Sequence, residues 1–232
     1  MKISIIIPTY NEADYIQELL NYLHEHANSS VAEILVVDGQ SIDHTPQKVQ
    51  DAGIKCIISP QKGRAAQMNL GARQANGDIL YFVHADSYPP KSYANDVVQS
   101  IENGAESGCY RFSFDSDKWL LKVNSWFTRF DRLMCRGGDQ TLFIKRDLFE
   151  ELNGFKNYAI MEDFDIIKRL RERGTFHIIP KSAVVSARKY EENSYLKVNF
   201  INLIIFLMFY FGASENTMVH AYKSLISGTK FG

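Results

Sequence analysis

Ile79-Leu80-Tyr81-Phe82-Val83-His84-Ala85-Asp86 is the stretch that decides the fold. Its apolar beginning, rich in β-branched and aromatic residues, has the pattern of a strand buried on both faces. The run stops abruptly at an imidazole and a carboxylate. Open α/β sheets bind ligands just beyond the carboxyl ends of their strands, so His84 and Asp86 fall where a substrate would lie. Asp86 is therefore a candidate to hold a divalent cation against a phosphate, with His84 beside it.

Working outward, the same signal recurs upstream. Apolar runs at 3–7, 34–37 and 54–58 predict three further strands, and helical patterns at 12–26, 45–52 and 64–74 separate them. Strands that are apolar throughout and spaced by helices imply a parallel sheet covered on both faces, an α/β fold. Downstream the pattern is less regular. A helix is expected at 92–103, strands at 108–114 and 141–145, a helix at 163–173, and a strand from 176 that ends at Pro180. Trp119, Leu120, Val123, Trp126, Phe127, Phe130, Leu133 and Met134 share one stripe of a helix expected over 118–134. A very apolar helix at 198–211 and an amphipathic one at 215–227 close the chain. This divides it into a domain over 1–190 and a helical appendage over 191–232.

With 232 residues and 45% hydrophobic content, the chain has enough apolar material for one large core. A formal net charge of −1 argues against a nucleic-acid binder, which needs a basic footprint. Three widely spaced cysteines, Cys56, Cys109 and Cys135, form neither a disulfide framework nor a metal-ligand pattern and read as free thiols. The N-terminal run Ile5-Ile6-Ile7 is too short for a secretory signal and is ended by Pro8, so a cytoplasmic location is expected.

Four polar loops should open on one edge of the sheet. They carry Pro8-Thr9-Tyr10-Asn11-Glu12, Asp38-Gly39-Gln40-Ser41, Lys62-Gly63-Arg64 and His84-Ala85-Asp86. Asp38 suits a base or ribose, and Arg64, opening a helix, suits a phosphate. Each part has a plainer reading: Asp38-Gly39 as a turn, Lys62 and Arg64 as solvated charges, His84 as a satisfied hydrogen-bonding residue. Together they describe a nucleotide crevice with a metal. No GxGxxG follows the first strand, and GxxxxGK[ST] and GxSxG are both absent, which removes the main support for hydride transfer, a P-loop NTPase or an α/β-hydrolase.

Ser4–Glu12, Val36–Asp43 and His84-Ala85-Asp86, taken in order, resemble glycosyltransferase family 2, whose fold is GT-A: a Rossmann-like, mostly parallel sheet flanked by helices. Lys62–Asn69, Gly138-Asp139-Gln140 and Met161-Glu162-Asp163 are similar to a bacterial subgroup of that family associated with radical-SAM/selenodomain proteins. The resemblance runs from Lys2 to about Tyr190. It implies a nucleotide-diphosphate sugar donor, a hydroxyl acceptor and inversion at the anomeric carbon. By position, Pro8, Thr9, Glu12, Asp38 and Ser41 would line the nucleoside pocket, and Lys62 and Arg64 would follow the base or diphosphate. Asp86 would bind Mg²⁺ or Mn²⁺, Asp163 would be the general base, and Gly138, Asp139, Gln140 and Glu162 would form the acceptor side. His84 stands where the family commonly has a carboxylate, with ribose contact and metal ligation both open to it. Arg188 and Tyr190 are candidates for diphosphate and sugar contact.

Two rivals compete with this reading. A sugar-phosphate nucleotidyltransferase would carry a Gly-rich basic loop after the first strand, and Pro8–Glu12 is nothing like one. A non-catalytic nucleotide-sugar or glycan-binding module would have no need of both Asp86 and Asp163. The helix at 198–211 is too short to span a bilayer. Like the aromatic stripe, it is ordinarily read as core. A dimer contact or a membrane surface is the alternative, and exposure of both helices together would favour a lipid-linked acceptor and a peripheral position on the inner face of the cell membrane.

Overall fold

The computed structural model describes residues 1–137, 140–188, 190 and 194–225. Its centre is an eight-stranded mixed sheet. In chain order the elements are β1 (Ile3–Thr9), α1 (Ile16–Glu25), β2 (Val31–Asp38), α2 (Thr45–Asp51), β3 (Lys55–Ile58), α3 (Arg64–Gln74), β4 (Ile79–Phe82), β5 (Ser87–Tyr88) and α4 (Tyr93–Glu102). There follow β6 (Ser107–Phe114), α5 (Trp119–Phe127), β7 (Phe143–Lys145), α6 (Arg146–Glu151), α7 (Glu162–Glu172), β8 (Phe176–Val185), α8 (Tyr195–Tyr210) and α9 (Glu215–Leu225). The strand order is β3-β2-β1-β4-β7-β6-β8-β5. The first four strands in that order are mutually parallel. Antiparallel β7 bridges β4 to β6, and β6 runs parallel to β8. The carboxyl ends of β1, β2, β3 and β4 therefore share one edge, with those of β6 and β8 on the same side.

Period-two geometry explains why the central strands are apolar throughout. Along β1, Ile3, Ile5 and Ile7 pack with α1 and α4, while Ile6 faces the other layer with α3, α6 and α7. All seven residues of β1 are buried. Helix α3 lies unusually close to the sheet because of Gly71, where a Cβ would stand 2.5 Å from a methyl of Ile6 and 3.0 Å from one of Val37. That close approach sets the height at which Arg64, the first residue of α3, meets the strand ends.

Three boundaries differ from those expected for reasons that lie in the tertiary structure, and one helix is unannounced. Helix α1 begins at Ile16, because the backbone of Asn11, Glu12 and Ala13 is tied to Ser41, Thr45 and Asp43 in the next loop. Strand β8 runs through Pro180. Its register against β6 shifts between Tyr110 and Arg111, whose partners are Ile179 and Ser182, so the proline sits in a bulge where no ladder N–H is needed. Helix α5 stops at Phe127, because the buried guanidinium of Arg136 takes the carbonyls of Thr128 and Phe130 and turns the chain away. The short helix α6 carries no separate signal in the sequence.

Helices α8 and α9 bury Ile201, Ile205 and Met218 against Ile160, with Met161 partly covered by the same cluster. The C-terminal helices thus buttress the turn that leads directly into Glu162 and Asp163.

Candidate functional site

The site is built from the loops at the shared strand edge. Asp38, the last residue of β2, is fully buried. Its carboxylate accepts the Ser41 N–H at 2.8 Å, the Ser41 hydroxyl at 2.6 Å and the Thr9 hydroxyl at 3.3 Å. Ser41 Oγ in turn accepts the Asn11 N–H at 2.8 Å. Gln67, buried on α3, donates to the carbonyls of both Thr9 and Val37 at 2.7 Å. Thr9, Asp38 and Ser41 are thus cross-tied into one rim joining the ends of β1 and β2, with Pro8 beside them in β1, paired with Val37. On that rim Asn11 and Gln40 adopt left-handed φ of 54° and 66°. Together with Met161 (φ 68°) before Glu162, they place strained backbone around the site, as is common where structure serves function.

Two cations sit over rings from the β1–α1 loop. Lys62 Nζ lies 5.3 Å from the centre of Tyr10, and the Arg188 guanidinium 4.0 Å from that of Tyr15. The aromatic partners Tyr10 and Tyr15 carry little signal in the sequence. Their only signal is that aromatic residues stand in a polar loop.

Arg188, just beyond β8, bridges two carboxylates. Both of its terminal nitrogens donate to Glu12 Oε2 at 3.2 Å, and one lies 3.8 Å from Asp86 Oδ2. Asp86 itself lies between β4 and β5, about one-third exposed. Ser186 donates its backbone N–H to the Asp86 carbonyl at 3.1 Å, fixing the C-terminal segment to the metal candidate.

A second charged cluster is built on the start of α7. Glu162 is fully buried, with Oε1 2.8 Å from Arg64 Nε. The contact is a charge pair rather than an aligned hydrogen bond, since neither Glu162 oxygen has a hydrogen-bond partner among the described residues. Burial pushes the Glu162 carboxyl up to about 7, opposed by Arg64 and reinforced by Asp163, with His84 close enough to act on it. Asp163 is also buried, at 8% exposure, and His84 at 6%. Arg64 of α3, His84 just beyond β4 and Glu162 of α7 therefore interact in one cluster, and Glu12, Asp86 and Arg188 form another. Gln140 is fully buried, its amide spent on Arg136, Cys109 and the Cys135 carbonyl. Tyr190 contacts Phe114 and Tyr195 edge-on or tilted. Gly138 and Asp139 lie outside the described residues.

A rim of cross-tied strand ends, a cationic and aromatic mouth, and a carboxylate pair opening a helix suit a nucleotide donor and a proton acceptor. The sequence pattern of glycosyl transferase family 2 matches residues 4–191. The chain belongs to glycosyltransferase family 2. Among relatives, a dolichol-phosphate mannosyltransferase of Pyrococcus furiosus is 32% identical over 46% of this chain and 32% of its own length. The probable glycosyltransferase YdaM of Bacillus subtilis is 26% identical over 76% of this chain and 48% of its own. The chain thus spans a third to a half of these relatives. The mannosyltransferase PcManGT of Pyrobaculum calidifontis, solved with GDP-Man and Mn²⁺, superimposes with a TM-score of 0.69 at 22% identity, covering 97% of this chain and 69% of that one. The fold of this family 2 domain is therefore GT-A.

No group of three or more His, Cys, Asp or Glu side chains able to hold a metal occurs among the described residues. Mg²⁺ and Mn²⁺ in phosphate chemistry commonly take one or two carboxylates and complete their shell with substrate oxygens and water. Asp86, partly exposed at the strand edge, fits that kind of site.

Proposed function

We propose that this domain transfers a sugar, with inversion, from a nucleotide-diphosphate sugar to an acceptor hydroxyl carried on a lipid. The observation that carries the reading is a pair of charged clusters, Arg188 with Asp86 and Glu12, and Glu162 with Arg64 and Asp163, linked by His84, which acts on Glu162 and lies two residues from Asp86. A nucleoside diphosphate leaves poorly until its growing negative charge is neutralised. A divalent cation held by Asp86 supplies part of that neutralisation when bound. Arg188, already at this position, supplies a fixed guanidinium suited to phosphate oxygens. The rim of Pro8, Thr9, Asp38 and Ser41 frames the nucleoside, Glu12 and His84 approach the ribose side, and Lys62 and Arg64 flank the diphosphate.

Asp163 takes the acceptor proton as the hydroxyl attacks from the face opposite the leaving group. That route needs no covalent enzyme intermediate. Glu162 beside it, with its carboxyl pushed upward, limits the negative charge gathered around the attacking oxygen. Gly138 and Asp139 belong to the acceptor side, whereas Gln140, buried and bonded to Arg136, Cys109 and the Cys135 carbonyl, acts there only as a support. The lipid-linked acceptor is supported by the Pyrococcus relative, named for dolichol phosphate, and by the apolar helices described below. A thermal-shift screen of nucleotide sugars with and without Mn²⁺ tests the donor and the metal together, since a ligand that binds only the folded state raises its melting temperature. Absence of any stabilising nucleotide sugar would refute the reading.

A further inference from the structure

We propose that α5 and α8 form one docking face for the surface of an anionic lipid bilayer. Both helices invert the ordinary rule for apolar stripes. Trp119 is 69% exposed, and Val123, Trp126 and Phe127 each more than 40%. On α8 the inner side, Val198, Ile201 and Ile205, is buried. Leu196 and Phe200 on the outer side are 70% and 64% exposed, with Leu203 and Leu207 beside them. Asn124 of α5 donates to Asn199 of α8 at 3.3 Å, so the two helices touch and their exposed stripes lie on neighbouring elements. An exposed apolar patch of this kind marks an interaction site rather than a neutral surface.

The identity of the partner follows from charge and residue type. Lys118, Arg129, Arg132 and Lys197 are exposed on or beside the same two helices. The neighbouring acidic groups are already engaged, Asp117 with Lys122 and Asp131 with Arg171. Tryptophans such as Trp119 and Trp126 flanked by basic residues are the composition of a helix lying in the headgroup layer, where ring and cation meet the lipid boundary. The Arg129 guanidinium lies 4.8 Å from the centre of the Trp126 ring, joining the two kinds of contact in one pair. No described helix is long and apolar enough to cross a membrane, so the face lies on the bilayer and does not span it.

The face also leads towards the chemistry. A cleft of about 520 Å³ opens between β6 and α5, with Arg111, Phe114, Asp115, Trp126 and Arg129 among its walls. At its inner rim Asp115 accepts the Ala187 N–H at 2.6 Å, and the next residue, Arg188, reaches Asp86. A headgroup entering from the bilayer would pass through this cleft to the cation-binding wall. The inference deepens the proposed transfer to a lipid-linked acceptor, and its functional meaning rests on that reading.

Co-sedimentation of the full chain with vesicles tests it. Binding is expected to phosphatidylcholine vesicles containing phosphatidylglycerol, weaker to phosphatidylcholine alone, and reduced by salt. The double variant Trp119→Glu/Phe200→Glu should weaken vesicle binding by about tenfold or more. Its thermal shift with nucleotide sugar should be unchanged, because both positions lie on the outer surface. A vesicle-independent dimer in sedimentation that the double variant dissolves would overturn the proposal in favour of a second copy. Equal binding by the parent chain and the variant, or binding by neither, would overturn it as well. The nucleotide thermal shift, measured on the same preparations, reports separately on the proposed transfer.

Discussion

Arg188 stands 3.8 Å from Asp86 while donating to Glu12 at 3.2 Å, so one guanidinium compensates both carboxylates of the donor wall. A cation arriving at Asp86 must compete with it. Arg188→Ala is therefore expected to raise Mn²⁺ affinity in the absence of nucleotide, by roughly tenfold at most for a pair this exposed. The same variant should lower transfer by about 10²-fold, because a fixed positive charge beside the leaving diphosphate is lost. Calorimetric titration with Mn²⁺ and initial-rate measurements separate the two effects. Unchanged values in both would remove Arg188 from the donor wall.

Asp163→Asn keeps the size of the side chain and removes the proton acceptor. Donor binding by thermal shift should be retained, and transfer should fall by about 10²–10⁴-fold, the usual range for a lost general base. Full transfer in the variant would assign the base to another group.

The parallel half of the sheet was legible because each strand is apolar throughout and ends in a polar loop, a local pattern. The loops of Asp38, Arg64 and Asp86 were legible for the same reason. What the sequence hid depends on distant partners. Arg136 ends α5 by capturing carbonyls six and eight residues upstream, and no local residue announces that stop. Pro180 is tolerated in β8 only because β6 accepts a bulge there. The stripe of Trp119, Val123 and Trp126 looks the same whether a neighbouring element covers it or not, so its exposure appears only in three dimensions. The pairing of Arg188 with Glu12 joins residues 176 positions apart, which no spacing rule could anticipate.

The cross-tied rim should be a stability element as well as a pocket wall. Asp38→Ala removes three hydrogen bonds and strands the Ser41 and Thr9 donors, at an expected cost of about 2–4 kcal/mol. Ser41→Ala should cost about 1 kcal/mol, since the Asp38 carboxylate keeps the Ser41 N–H. Urea unfolding measures both. Equal, negligible costs would show that the rim is held by other contacts.

Gly71→Ala opposes two effects on α3. Helix propensity alone favours alanine by about 1 kcal/mol. The added methyl would meet Ile6 at 2.5 Å, and overpacking of that kind typically costs about 1–3 kcal/mol. Net destabilisation is expected, with weaker nucleotide binding as α3 and Arg64 lift from the strand ends. A rise in melting temperature would show that the sheet yields freely here.

Glu162 makes stability depend on pH in a direction opposite to most carboxylates. Its folded carboxyl is pushed up, chiefly by burial, from an ordinary 4.5 to about 7. Below about pH 4.5 the group is neutral in both states and contributes no penalty. Between there and about pH 7 the folded chain holds a proton that the unfolded chain has released, so rising pH favours unfolding. Above that window the buried charge is present in full, offset only in part by Arg64. Glu162→Gln stays neutral throughout. Relative to the parent chain, its melting temperature should therefore improve progressively as pH rises across the window and level off above it. Thermal unfolding of both proteins through that range gives the difference curve directly. A flat difference would mean that Glu162 ionises in the folded chain at its ordinary pH, with Arg64 offsetting the cost of burial.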